Sequence, residues 1–433
     1  MLYICNKKIK KNPVLNKLKI KKLNLKLFPI LICFVFLFPI LKENISSFGV
    51  ILLGLNLVAY KIVAKDFRFI KFDDLYLTIP FWIVLCTSFF TSNIKNSLIH
   101  IQHALLFLIV PIIFLLIPND FFSQKKISLY LSILKNTCLV ITIIYFISYF
   151  NNVPLWKFNF GHYNDSNFRE YFYNEFKLFK IHPTYLTSII ILCSVHSYEL
   201  VLKQKKYLHL IYVFLFLTIT FLLLTRLNIV LLVFSLLLMT LFRSSLNLKQ
   251  RIILSVTFVV LISTLSIFTP GINRRFTEII NSFSVKPNGV TYDSTNVRKA
   301  ILNCDLKLAK ENWVRGIGYE NLQDGLNYCY KSGYNSSFYL NHNYMTHNYY
   351  LSILISSGIF GFLFYLFYIV HLIKISFQKN MFLLYLLLAN TLTICFVEDY
   401  FYRQYGVLYF NLLLMIFIRS NKSMRSSSTE GGI

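Results

Sequence analysis

The sequence predicts an all-α polytopic integral membrane protein. Three observations carry that expectation. Apolar residues make up 56% of the 433 residues, and the mean hydropathy is +0.57. They fall in runs of about 17–25 residues, the length a helix needs to cross the hydrocarbon core of a bilayer. Charged residues, 14% of the chain, collect between the runs rather than inside them.

Twelve spans are predicted, at about 27–41, 45–64, 75–91, 98–117, 127–150, 183–202, 207–224, 226–242, 252–268, 348–370, 381–397 and 404–418. The first is short and the seventh and eighth are nearly fused, so eleven is the alternative. Lys42-Glu43-Asn44 follows the first run where a signal peptide would need small residues, so none is expected to be cleaved.

The formal charge of +26 would suggest nucleic acid in a soluble chain, but here the cations flank apolar runs. Positive charge in short cytoplasmic loops sets topology. Nine Lys precede the first run, from Lys7 to Lys26. The same side takes Lys65/Arg68/Lys71, Lys125/Lys126, Lys203/Lys205/Lys206, Arg243/Lys249/Arg251, Lys374/Lys379 and Arg419/Lys422/Arg425. The opposite short loops hold only Lys42, Lys95, Arg226 and Arg403. Both termini are therefore expected in the cytoplasm.

The organisation that follows has a basic N-terminus at 1–26, then spans one to nine within 27–268, with a smaller outer loop at 151–181. A large outer loop occupies 269–346, the last three spans 347–419, and a Ser-rich cytoplasmic tail 420–433. No internal repeat is evident. The large loop has an amphipathic stretch with Val297, Ile301, Cys304 and Leu308 on one helical face, Asp293, Ser294 and Thr295 as candidate caps, and Gly316-Ile317-Gly318 closing it. Six of the eight cysteines lie outside this loop without metal-type spacing. Cys304 and Cys329 share it, on the oxidising side of a bacterial envelope, which leaves both a disulfide and two free thiols open.

The residues able to do chemistry lie at one membrane boundary. Arg226, in Leu224-Thr225-Arg226-Leu227-Asn228, stands in a tight hairpin between two apolar runs. It either marks the turn and snorkels to the headgroups, or holds a phosphate in bidentate fashion. Arg298 is placed in the first turn of the loop helix, where the positive end of the dipole and a guanidinium together make an anion site. A solvated surface arginine is the plainer alternative, and Lys299, Arg274 and Arg275 compete for the same role. His347, in Thr346-His347-Asn348-Tyr349-Tyr350-Leu351, sits where the loop meets a span, and imidazole titrates near neutral pH. His182 before Pro183 has a similar setting, and His162 and His342 share that side. These histidines lack the spacing and carboxylates of a zinc site, so no metal and no cofactor is expected. In Glu398-Asp399-Tyr400-Phe401-Tyr402-Arg403-Gln404, Glu398 and Arg403 either pair with each other or brace the cations above.

Taken together these motifs resemble the O-antigen ligase and O-antigen polymerase superfamily of bacterial envelope glycosyltransferases. Five features carry the resemblance: Thr225-Arg226-Leu227; Asn296-Val297-Arg298; Glu311-Asn312-Trp313-Val314-Arg315-Gly316-Ile317-Gly318; His347-Asn348-Tyr349-Tyr350-Leu351 followed by Ser357-Gly358-Ile359-Phe360-Gly361; and the segment from Glu398 to Phe410. It covers roughly residues 180–415. The resemblance implies a GT-C-like membrane fold with a periplasmic loop containing helices. It also implies inverting, metal-independent transfer of a glycan from undecaprenyl-pyrophosphate at the periplasmic face of the inner membrane. The acceptor is lipid A–core in a ligase and another carrier-linked glycan in a polymerase, with membrane lipids as surroundings and no nucleic acid as partner. By position it makes His347, Arg226 and Arg298 catalytic. Arg226, Arg298, Asn348, Glu398, Arg403 and His182 would bind substrate. A flippase of lipid-linked sugars is the alternative from another class; it would need ionisable residues along mid-helix, whereas here they collect on one side.

Overall fold

The computed structural model describes residues 13–66, 70–89, 94–154, 168–172, 181–243, 246–268, 294–334, 343–378 and 381–429, with isolated positions at 277, 280, 281, 287 and 339. His162, His342, Arg274 and Arg275 lie outside them. The described residues are mostly helical, with no strand among them.

The helices are α1 (Pro13–Val35), α2 (Glu43–Ala64), α3 (Ile79–Ser88, extended backwards by a 3₁₀ helix over Phe72–Thr78), α4 (Ile94–Leu116) and α5 (Gln124–Asn152). Then come α6 (Pro183–Gln204), α7 (His209–Leu222), α8 (Arg226–Arg243), α9 (Leu248–Phe268), α10 (Ser294–Asn312) and α11 (Leu322–Tyr334). Last are α12 (Tyr349–Gln378), α13 (Phe382–Ile394) and α14 (Gln404–Thr429). Each apolar run of the sequence coincides with a helix. Six of these helices are long and apolar enough to cross a membrane: α2, α4, α5, α6, α8 and α12.

Burial separates two kinds of apolar helix. α14 is buried on every side from Tyr405 to Ile418, and α6 nearly so from Pro183 to Ser197. A helix that is apolar all round belongs at the centre of a bundle. On α2, by contrast, Ile51, Leu55, Val58 and Ile62 form an exposed stripe at helical spacing, and on α12 Phe360, Leu363, Phe364, Phe367 and Val370 do the same. Exposed apolar stripes of that length suit lipid, not water.

The bundle has two chemically distinct ends. At one, Gln404 at the start of α14 donates to the Glu43 carbonyl and Tyr405 to the Leu41 carbonyl. At the other, Arg419 reaches the Ile117 carbonyl and Gln124 donates to Ser420. The first end carries the loop helices α10 and α11, and the second carries Lys203 in the last turn of α6 with Lys205 and Lys206 after it. We call them the loop end and the basic end.

The loop helices have a core of their own. Val297, Ala300, Ile301 and Cys304 of α10 pack on Leu326, Cys329 and Tyr330 of α11 and on Ile355 of α12. Cys304 and Cys329 are bonded, with α-carbons 5.8 Å apart. α10 starts at Ser294, which puts Arg298 in its second turn rather than the first.

A backbone lock fixes the loop to α12. Gly358 has φ +65°, ψ −170°, which breaks α12 after its first two turns. The break frees carbonyls that an unbroken helix would use itself. Ile317 N–H donates to the Ile355 carbonyl and Gly318 N–H to the Ser356 carbonyl, both at 2.9 Å, while Ile359 N–H donates to the Trp313 carbonyl at 2.7 Å. A Cβ on Gly316 would collide with the Ser356 carbonyl, and one on Gly358 with the Val314 carbonyl. Both glycine motifs are therefore two halves of one backbone contact.

Candidate active site

Three elements meet at the loop end: the start of α12, the 398–403 turn before α14, and α10. Asn348 starts α12. Its side-chain oxygen accepts from the N–H groups of Tyr350 and Leu351, each at 3.1 Å, which is an N-cap. With Asn348 capping, His347 before it is released from that task. It adopts the left-handed region at φ +48°, uncommon for a residue with a side chain.

Asp399, 8% exposed, holds that turn: both its carboxylate oxygens lie 2.6 Å from the Thr346 hydroxyl, and Thr346 is 1% exposed. Burial pushes the Asp399 carboxyl up, against the opposing Thr346 hydrogen bond and His347 charge. The turn is tied in place by Tyr400, whose ring stacks on Tyr185 of α6 at 4.9 Å and whose hydroxyl bonds Ser188 at 2.6 Å.

Glu398 joins the other two elements. His347 Nδ1 is 3.3 Å from Glu398 Oε2, and Arg298 is 3.2 Å from Glu398 Oε1. Burial alone would raise the Glu398 carboxyl. The hydrogen bond and charge of His347, with the charges of Arg298 and His182, instead bring it down to about 2. Glu398 is therefore ionised at neutral pH. If Nδ1 carries the proton donated to it, Nε2 is left as an acceptor for a hydroxyl proton, the arrangement in which a carboxylate orients a basic imidazole. Arg298 keeps a 52% exposed side chain, so it remains open to a ligand from outside.

His182 lies close to the set but is differently employed. Its Nδ1 caps α6 by accepting from Thr184 N–H at 3.3 Å. Burial lowers it to about 4, with the Glu398 charge opposing and the charges of Arg403, Arg169 and His347 adding to the shift. Arg403 is exposed, and no ion pair joins it to Glu398 among the described residues. Arg226 is the first residue of α8. Asn228, two positions on, donates to the Thr184 carbonyl, which sets the start of α8 beside the start of α6. Arg169 donates to the Leu223 and Leu224 carbonyls, both at 3.1 Å, bracing the turn before Arg226.

Sequence reasoning missed several of these. Asp399 was hidden in a general charge cluster, Thr346 was read only as the neighbour of His347, and Arg169 lay in the smaller outer loop. His100 and His103, on one face of α4, meet the Tyr402 ring tilted at 6.1 Å and edge-on at 5.5 Å; a histidine pair three apart near the start of a run was the available signal. Beyond them an apolar groove of about 950 Å³ runs between α3 and α12, floored by Gly316–Gly318 and lined by Trp82, Ile83, Phe360 and Phe364. Glu320 is among its lining residues. Among the described residues, no three His, Cys, Asp or Glu side chains converge to hold a metal ion.

Residues 211–366 match the family described as O-antigen ligase. The chain carries an O-antigen ligase family domain. No curated protein matches it. The ligase-family stretch runs from α7 through the first half of α12, so it contains Arg226, Arg298, both halves of the glycine lock, His347 and Asn348. His182, Glu398, Asp399 and Arg403 lie outside it and reach the site through the fold. With six helices suited to crossing a bilayer, this is a multi-pass membrane protein, and its 211–366 stretch is similar to a family whose description implies glycosyltransferase-like activity.

Proposed function

We propose that the protein moves a glycan from undecaprenyl-pyrophosphate to lipid A–core at the periplasmic face of the bacterial inner membrane. The observation that carries this reading is the chain His347–Glu398–Arg298, which links a base to an anion-binding group across three elements. The acceptor hydroxyl gives its proton to His347 Nε2 while its oxygen attacks the anomeric carbon from the face opposite the carrier. The bond from that carbon to the pyrophosphate oxygen breaks, and the electron pair leaves with undecaprenyl-pyrophosphate. One displacement inverts the anomeric centre.

Arg298 and Arg226 offset the charge growing on the pyrophosphate, the role a metal plays elsewhere. Asn348, Arg403 and His182 line the approach. The apolar groove between α3 and α12 supports the lipid part of the reading, since its walls suit a hydrocarbon chain and its glycine floor leads toward the loop. In this reading all twelve apolar helices span the membrane. Both termini are cytoplasmic, and 269–346 forms the periplasmic loop.

The test is the surface glycolipid profile of a deletion strain, followed by transfer in membranes from carrier-linked donor. Polymer accumulating on the carrier with bare lipid A–core is expected. Core bearing a single repeat would instead assign a polymerase, and an unchanged profile would remove both.

A further inference from the structure

The basic end of the bundle holds a second cluster that glycan transfer does not use. Lys135 of α5 is 3% exposed, buried between α5, α6 and α7. Its ammonium lies 3.3 Å from His209 Nδ1 and 4.6 Å from the centre of the Tyr212 ring. His196 of α6 is 7% exposed, and both its ring nitrogens are buried without a hydrogen-bond partner. Lys206 lies near enough to act on Lys135 through its charge. Carboxylates are missing: Glu199, the acidic residue of α6, pairs with Lys203. Lys135 has no acidic partner among the described residues.

An ammonium buried in a bilayer without a counter-ion is costly, so either it gives up its proton or an anion arrives from outside. Three features favour the anion. The face of Tyr212 attracts a cation and offers a neutral amine little. His209 is the first residue of α7, where the helix dipole adds positive potential. Lys203, Lys205 and Lys206 collect where α6 ends, and basic pockets between helices at a membrane surface take anionic headgroups.

We propose that Lys135, His209 and His196 form a binding site for the phosphate of an anionic phospholipid, in the leaflet opposite the His347 site. Lys135 holds the phosphate oxygens beside the positive end of α7, and His196 supplies a further donor from the α6 side. His182 and His196 mark the two sites on α6, and their separation along the helix sets the sites about 20 Å apart.

Native mass spectrometry of the purified full-length protein, with phosphatidylglycerol or phosphatidylcholine added, tests this. Wild type should retain one phosphatidylglycerol more than Lys135→Met, with affinity at least about ten-fold higher, and Lys135→Arg should keep it. Phosphatidylglycerol should raise the unfolding temperature of wild type and not of Lys135→Met. If Lys135→Met does not fold, His209→Ala and His196→Leu carry the same comparison. Equal retention by wild type and variants, or none by wild type, overturns the proposal. A Lys135-dependent stabilisation by inorganic phosphate in phosphatidylcholine alone would assign the site to free phosphate and overturn the lipid. The readout is lipid retention, so it stands or falls apart from glycan transfer.

Discussion

His182 and His347 each stand one or two residues before a buried apolar helix, and in the sequence they look alike. The structure separates them by which side chain caps the helix. At α6 the histidine does it: His182 is extended at φ −63°, ψ 140°, and its Nδ1 accepts from Thr184. At α12 the cap is Asn348, and His347, bent into φ +48°, turns its Nδ1 to Glu398 instead. A histidine whose ring is committed to the backbone is scaffold. One relieved by its neighbour is available for proton transfer.

The widest gap should open between His347→Ala and His182→Ala. The first is expected to lose on the order of 10²–10⁴-fold in transfer rate while donor binding changes little. The second should be milder. Turnover like wild type in His347→Ala with a dead His182→Ala would reverse the assignment. Arg298→Ala and Arg226→Ala should also lose nearly all transfer at normal membrane insertion, with Arg→Lys rescuing only in part because a point charge cannot make the two-pronged contact.

Glu398→Gln sharpens the comparison, because it keeps the shape and removes the charge that orients His347. A loss of about 10–100-fold is expected, the usual worth of an orienting partner. An unchanged rate would show that His347 needs no orienting.

Acid should distinguish the two histidines by stability. His182 falls from 6.5 to about 4 in the folded protein, so the unfolded chain binds more protons between those values. Stability is therefore lost as pH drops from 6.5 toward 4, by at most about 1.4 kcal/mol per pH unit. Melting of His182→Gln in detergent should be flatter across that window; an identical slope would mean His182 stays accessible. Asn348→Ala should have the smallest effect on stability, about 1 kcal/mol, the cost of a lost cap. A larger drop in transfer than in melting temperature would indicate that the cap also aims His347.

Much of this was legible because apolar runs and an amphipathic stretch report local structure. The helices, the Val297–Leu308 face and His347 all came from patterns within about twenty residues. What escaped depends on contacts between distant segments. Periodicity cannot say that Asp399 turns inward to Thr346 while Glu398 turns to Arg298, since both are acids in one charged turn. The Gly316–Gly318 and Gly358–Gly361 motifs were both visible, but not that each completes the other. Glu398 and Arg403 were open as a pair, and the fold gives Glu398 to Arg298 and His347. Lys135 and His196 were passed over as isolated polar residues in apolar runs, because only packing of three helices brings them together.

The backbone lock also sets an order of events during synthesis. The loop leaves the ribosome before α12, yet the break at Gly358 leaves carbonyls at Ile355 and Ser356 that hydrocarbon cannot satisfy. If the loop lies across the membrane as proposed, α12 settles in the bilayer only once residues 313–318 have crossed and folded back onto it. Translocation of the loop and insertion of the helix that follows become one coupled step, and a nascent chain stalled between them has an incentive to stay with the insertion machinery.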